Sequence, residues 1–342
     1  MCYIPPELRE RNVFKPTQEQ QVALEKFRLR RPFKVAAFAG TGKTSTLQLL
    51  AGDRKEQGLY LAFNKSIASE AKQKFPQTVN CRTTHSVAWQ TVQPSHRFST
   101  GKMNTGLHSK QLAETLELRD RVFGKRLKLS AAHQAHFVLR TIKGFCQSAS
   151  QEIGPEHVPH YGRLMGMPED VIADAHEWAV TAATDLWKRM INHRDKLPLG
   201  HDGYLKLWAL GQPKLSFDFI LLDEAQDTNP VVLDVLSRQS AQVVYVGDKH
   251  QQIYEWRGAV NAMEKIAGLD EAYLSQSFRF GSTIAEAASA VLRTLGETVP
   301  IRGNPAVSSV IAPNGAARAV LARTNATVMG EILNALSFGM QF

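Results

Sequence analysis

Residues 33–49 read FKVAAFAGTGKTSTLQL. An apolar run over 35–39 leads into a turn through Gly40, Thr41 and Gly42, which delivers Lys43, Thr44 and Ser45 to the head of a helix. A strand, a glycine-bearing turn and a helix N-terminus in that order form a phosphate cradle. Backbone N–H groups converge on the anion and the helix dipole favours it. The Lys43 ammonium adds a positive charge, and the Thr44 hydroxyl can hold Mg²⁺. Ala37 stands where the full form of the motif has its first glycine. The competing reading is an ordinary tight strand-to-helix turn; the strand before and the helix after favour a nucleotide site.

Moving outward, strand and helix alternate at short spacing. GLYLAF (58–63) reads as a buried strand, NKSIASEAKQKF as a helix capped by Asn64, TVNCRT (78–83) as a strand, and THSVAW as the start of a helix. This alternation predicts an α/β fold: a parallel sheet with helices on both faces and ligands at the carboxyl ends of the strands. The pattern stops over 91–200, which reads as a mainly helical insertion with no clear strand. Helices are expected over 129–145 and 170–193, and GKRLK (124–128) reads as a basic tip or a solvated loop. The sheet resumes with FDFILL, which ends at Asp223 and Glu224, and with QVVYVGD (242–248); YLSQS and ARAVLAR (317–323) are further expected strands.

A nucleotide site built on a phosphate cradle and Mg²⁺ needs an acid for the metal shell and a base to align water. Asp223 and Glu224, at the end of a buried run, suit those two roles, with a surface acidic turn as the alternative. Gln251 and Gln226 are uncharged and can sense a γ-phosphate by hydrogen bonding. Thr17 followed by Gln20 is a helix capping box; the Gln20 amide could equally read the edge of adenine. Trp256 beside Arg257 offers a stacking platform next to a cation, suited to unstacked bases, or else a core aromatic on a helix.

The 342 residues carry a formal net charge of +9, which fits a polyanionic partner, nucleic acid first, or simple solubility. The three cysteines, Cys2, Cys81 and Cys146, are far apart and form no CxxC pair, which argues against a disulfide framework or a zinc site. No apolar run approaches a membrane span, and the N-terminus lacks a signal-peptide core. The expected location is cytoplasmic, or nuclear in a eukaryote.

Taken together, TQEQ (17–20), AGTGKT (39–44), NKSIASEAK (64–72), TTHS (83–86), DEAQD (223–227), GDKHQQIYEWRGA (247–259), QSFRFG (276–281) and ARTN (322–325) make an ordered set. With it the chain resembles superfamily 1 DNA helicases of the UvrD/Rep type, over nearly its whole length and least across 91–200. LAFNKSIA, CRTTHS, HDGYLKLW (201–208) and QSFRFG resemble the F-box DNA helicase branch more closely still, although no F-box precedes Thr17 in this chain. The resemblance implies a P-loop NTPase with two RecA-like domains. The first would be built from 1–90 and 201–275, with the helical insertion at 91–200, and 276–342 would open the second.

It further implies ATP and Mg²⁺ as cofactors, single-stranded DNA or its junctions with duplex as partner, 3′-to-5′ translocation, and roles in DNA repair or recombination. By the same resemblance Gln20 would read adenine, and Gly40, Thr41, Gly42, Lys43, Thr44 and Ser45 would hold phosphates. Thr44 and Asp223 would serve Mg²⁺, Glu224 the attacking water, and Gln251 and Arg279 the γ-phosphate. Asn64, Thr83, His85, Tyr254, Trp256 and Arg257 match positions at the DNA groove. Relatives place an aromatic two residues before Asn64, where this chain has Ala62, with Phe63 next to it; a stacking role for Phe63 is not expected on that ground. The family continues past the motifs found here, to a further DNA contact and a second catalytic arginine. The expectation is therefore a C-terminally truncated helicase, fragment or short gene product. The alternative to an active motor is an ATP- and single-strand-binding module that hydrolyses ATP slowly and does not unwind duplex.

Overall fold

The structure is a computed structural model that describes residues 15–124, 126–160, 162–254, 260–311 and 321–337. The chain divides into two compact units, Met1–Phe278 and Arg279–Phe342.

The first unit is an α/β domain. After α1 (Gln18–Arg28) come β1 (Phe33–Ala37), α2 (Lys43–Gly52), β2 (Gly58–Ala62), α3 (Lys65–Lys74), β3 (Val79–Thr83) and α4 (Thr84–His96). A helical stretch follows: α5 (Thr100–Asn104), α6 (Ser109–Thr115), α7 (Ala131–Gln147), α8 (Glu169–Ile191) and α9 (Gly200–Leu210), with two short strands, β4 (Arg121–Phe123) and β5 (Leu127–Leu129), between α6 and α7. The sheet is completed by β6 (Phe219–Leu222), α10 (Pro230–Ser237), β7 (Gln242–Gly247), α11 (Ala262–Lys265) and β8 (Asp270–Leu274). The six main strands run in the order β3-β2-β6-β7-β1-β8, and every neighbouring pair is parallel.

Strands β2, β6 and β7 are buried along their whole length, as central parallel strands must be when helices cover both faces. The period of two sorts their side chains. Leu59, Leu61, Ile220, Leu222, Val243 and Tyr245 join one core. Tyr60, Phe219, Leu221, Val244 and Val246 join the other, under α1, α2 and α3. The first core also contains Phe145, Ala183, Leu186, Trp187, Met190, Tyr204 and Trp208. Helices α7, α8 and α9 therefore roof one face of the sheet, and the inserted stretch is continuous with the sheet's own packing.

One feature departs from the sequence reading, and a second was not anticipated by it. The first is the antiparallel hairpin β4–β5, with Arg121 opposite Leu129 and Phe123 opposite Leu127, inside a stretch expected to hold no strand. Strands this short show no readable alternation. Phe123, Leu127 and Leu129 turn inward to a third core with Phe137, Val171 and Ala175. The turn between them needs glycine, because Gly124 has φ +51° and a Cβ there would lie 2.4 Å from a Val171 methyl. The expected basic tip is thus partly core, and Lys128 pairs with Asp120 at 3.1 Å. The second feature is a pair of buried lysines. Lys102 donates to the carbonyls of Asp195 (2.9 Å) and Leu197 (2.6 Å). Lys206 donates to those of Ser148 (2.9 Å) and Ser150, where α7 ends.

In the second unit, α12 (Ser282–Thr294) packs Ser289 against the Ile301 backbone, and Gly281 N donates to Ser309 Oγ at 2.7 Å. Helix α13 (Asn325–Ser337) follows the expected turn-rich stretch. Most of the expected strand at 317–323 lies outside the described residues.

Candidate nucleotide and nucleic-acid site

The parallel order brings the carboxyl ends of β1, β6 and β7 to one edge of the sheet. The turn after β1 is closed by Thr41, whose hydroxyl donates to Phe38 O at 2.8 Å, and by Phe278 N, which donates to Gly40 O at 2.8 Å. Gly40 and Gly42 have φ +71° and +82°, in the left-handed region that favours glycine. Gly42 is also the N-cap of α2, so the first-turn N–H groups of Lys43, Thr44 and Ser45 have no partner within the helix. They point where an anion would sit.

Facing this turn, β6 ends in Asp223 and Glu224. Lys43 Nζ donates to Glu224 Oε2 at 3.0 Å. Glu224 itself has φ +51°, a strained conformation for a residue with a side chain, of the kind that clusters at functional sites. Asp223 is buried; its Oδ2 accepts from the Tyr60 hydroxyl at 2.6 Å and its Oδ1 from Glu224 N at 2.9 Å. Burial pushes the Asp223 carboxyl above its ordinary range, opposed by the Tyr60 hydrogen bond.

Further hydrogen bonds carry the cluster to β7. Gln226 Nε2 donates to Glu224 Oε2 at 2.7 Å, while Gln226 Oε1 accepts from Asp248 N at 3.0 Å. That close approach requires glycine at 247, where a Cβ would fall 2.5 Å from Gln226 Oε1. Gln251 Nε2 donates to Asp248 Oδ2 at 2.6 Å, so Gln251 is tied to the same loop. Asp227 Oδ1 accepts from the N–H groups of Ile253 and Tyr254, each at 3.2 Å.

Gln20 lies beside the phosphate turn. Both halves of its capping box with Thr17 are formed, and its Nε2 also donates to Thr46 Oγ1 at 3.1 Å. Its neighbour Glu19, which no motif singled out, accepts from Ser275 N and Oγ at 2.8 and 2.6 Å and ties α1 to the end of β8.

A second group of residues lines the same edge. Asn64 and Thr83 are the N-caps of α3 and α4, accepting from Ile67 N (2.9 Å) and Ser86 N (3.2 Å). Phe63 is 38% exposed and stacks on Tyr254 with ring centroids 4.9 Å apart. It stands one residue from the family's aromatic position and against Tyr254. A cavity of about 450 Å³ is lined by Lys65, Lys72, Arg82, His85, Trp89 and His201, among others, with no carboxylate among the described residues of its wall. Burial pushes the His85 imidazole below its ordinary value, partly opposed by Asp202. Trp256 and Arg257 lie outside the described residues, and Arg279 is an exposed residue of the second unit. Cys81 and Cys146 are buried free thiols. Among the described residues no cluster of three or more His, Cys, Asp or Glu could hold a metal, and no helix is long and apolar enough to cross a membrane.

Residues 16–267 match the model of the UvrD/REP helicase N-terminal domain. The chain belongs to the UvrD/REP helicase family. It is 37% identical over 291 residues to F-box DNA helicase 1 of Gallus gallus, covering 81% of this chain and 28% of that protein. To F-box DNA helicase protein 1 of Schizosaccharomyces pombe it is 34% identical over 286 residues, 79% of this chain and 32% of that one. DNA helicase II of Salmonella typhimurium is 24% identical over 282 residues, 75% of this chain and 38% of the other. The chain thus spans about a third of the length of these UvrD/REP relatives.

Proposed function

We propose that this chain carries the ATP site and part of the single-strand site of an ATP-dependent 3′-to-5′ DNA helicase or translocase. In this reading residues 1–90 and 201–275 form the first motor domain, 91–200 its insertion, and 276–342 the opening of the second. The observation that carries the reading is the Lys43–Glu224 ion pair across the phosphate turn, linked through Gln226 and Asp227 to the backbone of Tyr254. It joins a phosphate cradle to an aromatic surface by hydrogen bonds alone.

The residues take these roles. The first-turn amides of Lys43, Thr44 and Ser45, with Gly40, Thr41 and Gly42, cradle the phosphates. Gln20 presents its second amide N–H and its second oxygen lone pair to adenine. Lys43 turns from Glu224 to the phosphates, which frees Glu224 to accept a proton from the attacking water. Gln251 senses the γ-phosphate, and Arg279 supplies a further cation for it.

The donor set suits a small hard cation. Thr44 offers an exposed hydroxyl, and each Asp223 oxygen keeps a lone pair beyond its hydrogen bond to Tyr60 or Glu224. Thr44 and Asp223 would hold Mg²⁺, which when bound would supply positive charge against the negative charge that develops in phosphoryl transfer. Asn64, Thr83, His85, Tyr254, Trp256 and Arg257 form the single-strand surface, and Phe63 joins them through its stack on Tyr254.

The test measures equilibrium binding of a fluorescent ATP analogue, ATP hydrolysis with and without oligo(dT), and unwinding of 3′-tailed and 5′-tailed duplexes. Binding that is lost in Lys43→Ala, DNA-stimulated hydrolysis and unwinding from the 3′ tail support the motor. Binding of both ligands without stimulated hydrolysis by these residues supports the binding-module reading instead. Unchanged nucleotide binding in Lys43→Ala removes the phosphate-cradle assignment.

A further inference from the structure

Tyr60 is fully buried in the middle of β2, within the apolar run GLYLA. Its ring packs on Phe75, with centroids 4.7 Å apart, in the core under α2 and α3. For that packing alone a leucine or phenylalanine would serve, and a buried phenol hydroxyl is costly unless it finds a partner. The partner here is Asp223 Oδ2, at 2.6 Å. The register explains the reach. Tyr60 lies opposite Leu221 and Leu61 opposite Leu222, so Asp223 stands just past the paired end of β6, on the same side of the sheet as Tyr60. A long side chain leaning along the strand meets it there.

Among the described residues no cation is bonded to the Asp223 carboxylate. Lys43 bonds to Glu224 instead, and Asp223 is held by one phenol O–H and one backbone N–H. We propose that Tyr60 is a positioning residue for the metal-shell carboxylate. Its hydroxyl fixes the plane of Asp223 and leaves each oxygen one lone pair for the Mg²⁺ shell. This rests on the assignment of Asp223 made above. Partners that orient a metal-binding group in this way typically contribute ten-fold or more in metal affinity.

The test titrates Mg²⁺ into the full chain with a non-hydrolysable fluorescent ATP analogue and reads equilibrium binding. Tyr60→Phe keeps the ring and removes the hydroxyl; Phe75→Leu disturbs the same packing and keeps the hydroxyl. The expected result is a Mg²⁺ midpoint about ten-fold higher in Tyr60→Phe, with metal-free binding of the analogue within about two-fold of the parent and an unshifted midpoint in Phe75→Leu. An unshifted midpoint in Tyr60→Phe, or equal shifts in both variants, overturns the proposal. Binding by the parent chain that does not depend on Mg²⁺ overturns the Asp223 assignment as well, which separates the two failures. If Tyr60→Phe does not fold, 3-fluorotyrosine placed at position 60 keeps the hydroxyl. Its ¹⁹F resonance should move when Mg²⁺ joins the bound analogue and stay still with the analogue alone; a resonance that does not respond to Mg²⁺ refutes the role.

Discussion

Replacing Lys206 with methionine should change how stability depends on pH. Lys206 is 1% exposed, and its ammonium lies 4.1 Å from the Phe145 ring centre while donating to the Ser148 and Ser150 carbonyls. Burial pulls its pKa down from 10.5 to about 8. The unfolded chain therefore binds this proton more tightly than the folded one. Below about pH 8 both states are protonated and the full cost of the buried charge, about 3 kcal/mol, is present; the cost fades as pH rises from about 8 to 10.5. Between pH 7 and pH 9 the parent should gain roughly 1–1.5 kcal/mol on this account. Other buried groups titrate in alkali too, so the quantity to measure is the difference between parent and Lys206→Met. Urea unfolding at several pH values supplies it. The parent's stability should rise relative to the variant by that amount across the window. Parallel pH profiles, or a rise in the variant relative to the parent, would refute the buried-charge account.

Two further outcomes follow from the nucleic-acid surface. Phe63→Ala should weaken oligo(dT) binding by about 1–3 kcal/mol if the Phe63–Tyr254 pair is a stacking platform; fluorescence anisotropy measures it, and an unchanged affinity would return the pair to a packing role. Lys72→Glu, in the wall of the basic cavity, should lower affinity for all sequences alike and flatten the dependence of log Kd on log salt by about one unit. A variant with the parent's salt slope would take the strand's path away from that cavity.

The fold's centre was legible because its signals are local and mutually consistent. An apolar run, a glycine-bearing turn and GKT at a helix start favour a phosphate cradle over an ordinary strand-to-helix turn at residues 33–49, and FDFILLDE similarly favours a central strand that ends in acids. What escaped was tertiary. Lys102 and Lys206 drew no reading from the sequence, because burial against carbonyls at the ends of distant segments has no local sign. The hairpin β4–β5 is too short for its alternation to be seen. Gln20 left two readings open, and the structure shows the capping half in full together with a bond to Thr46 that no spacing rule announces. Phe63 was set aside on its offset from a family position, yet a half-exposed ring at a strand end is placed by its neighbour Tyr254 as much as by its register.

The strand order also has a consequence for synthesis on the ribosome. Strand β1 is flanked by β7 and β8, and β2 pairs with β6, so among the first three strands only β2 and β3 are sheet neighbours. The phosphate turn emerges early, but the strands that hold β1 follow roughly 200 residues later, a wait of about 10–40 s at ordinary elongation rates. Over that interval β1 has open edges and an apolar face, the condition under which nascent chains aggregate or recruit chaperones. The helices encoded between β3 and β6 are rich in local contacts and can form during the wait. They then present a ready apolar roof onto which β6 and β7 can close the sheet.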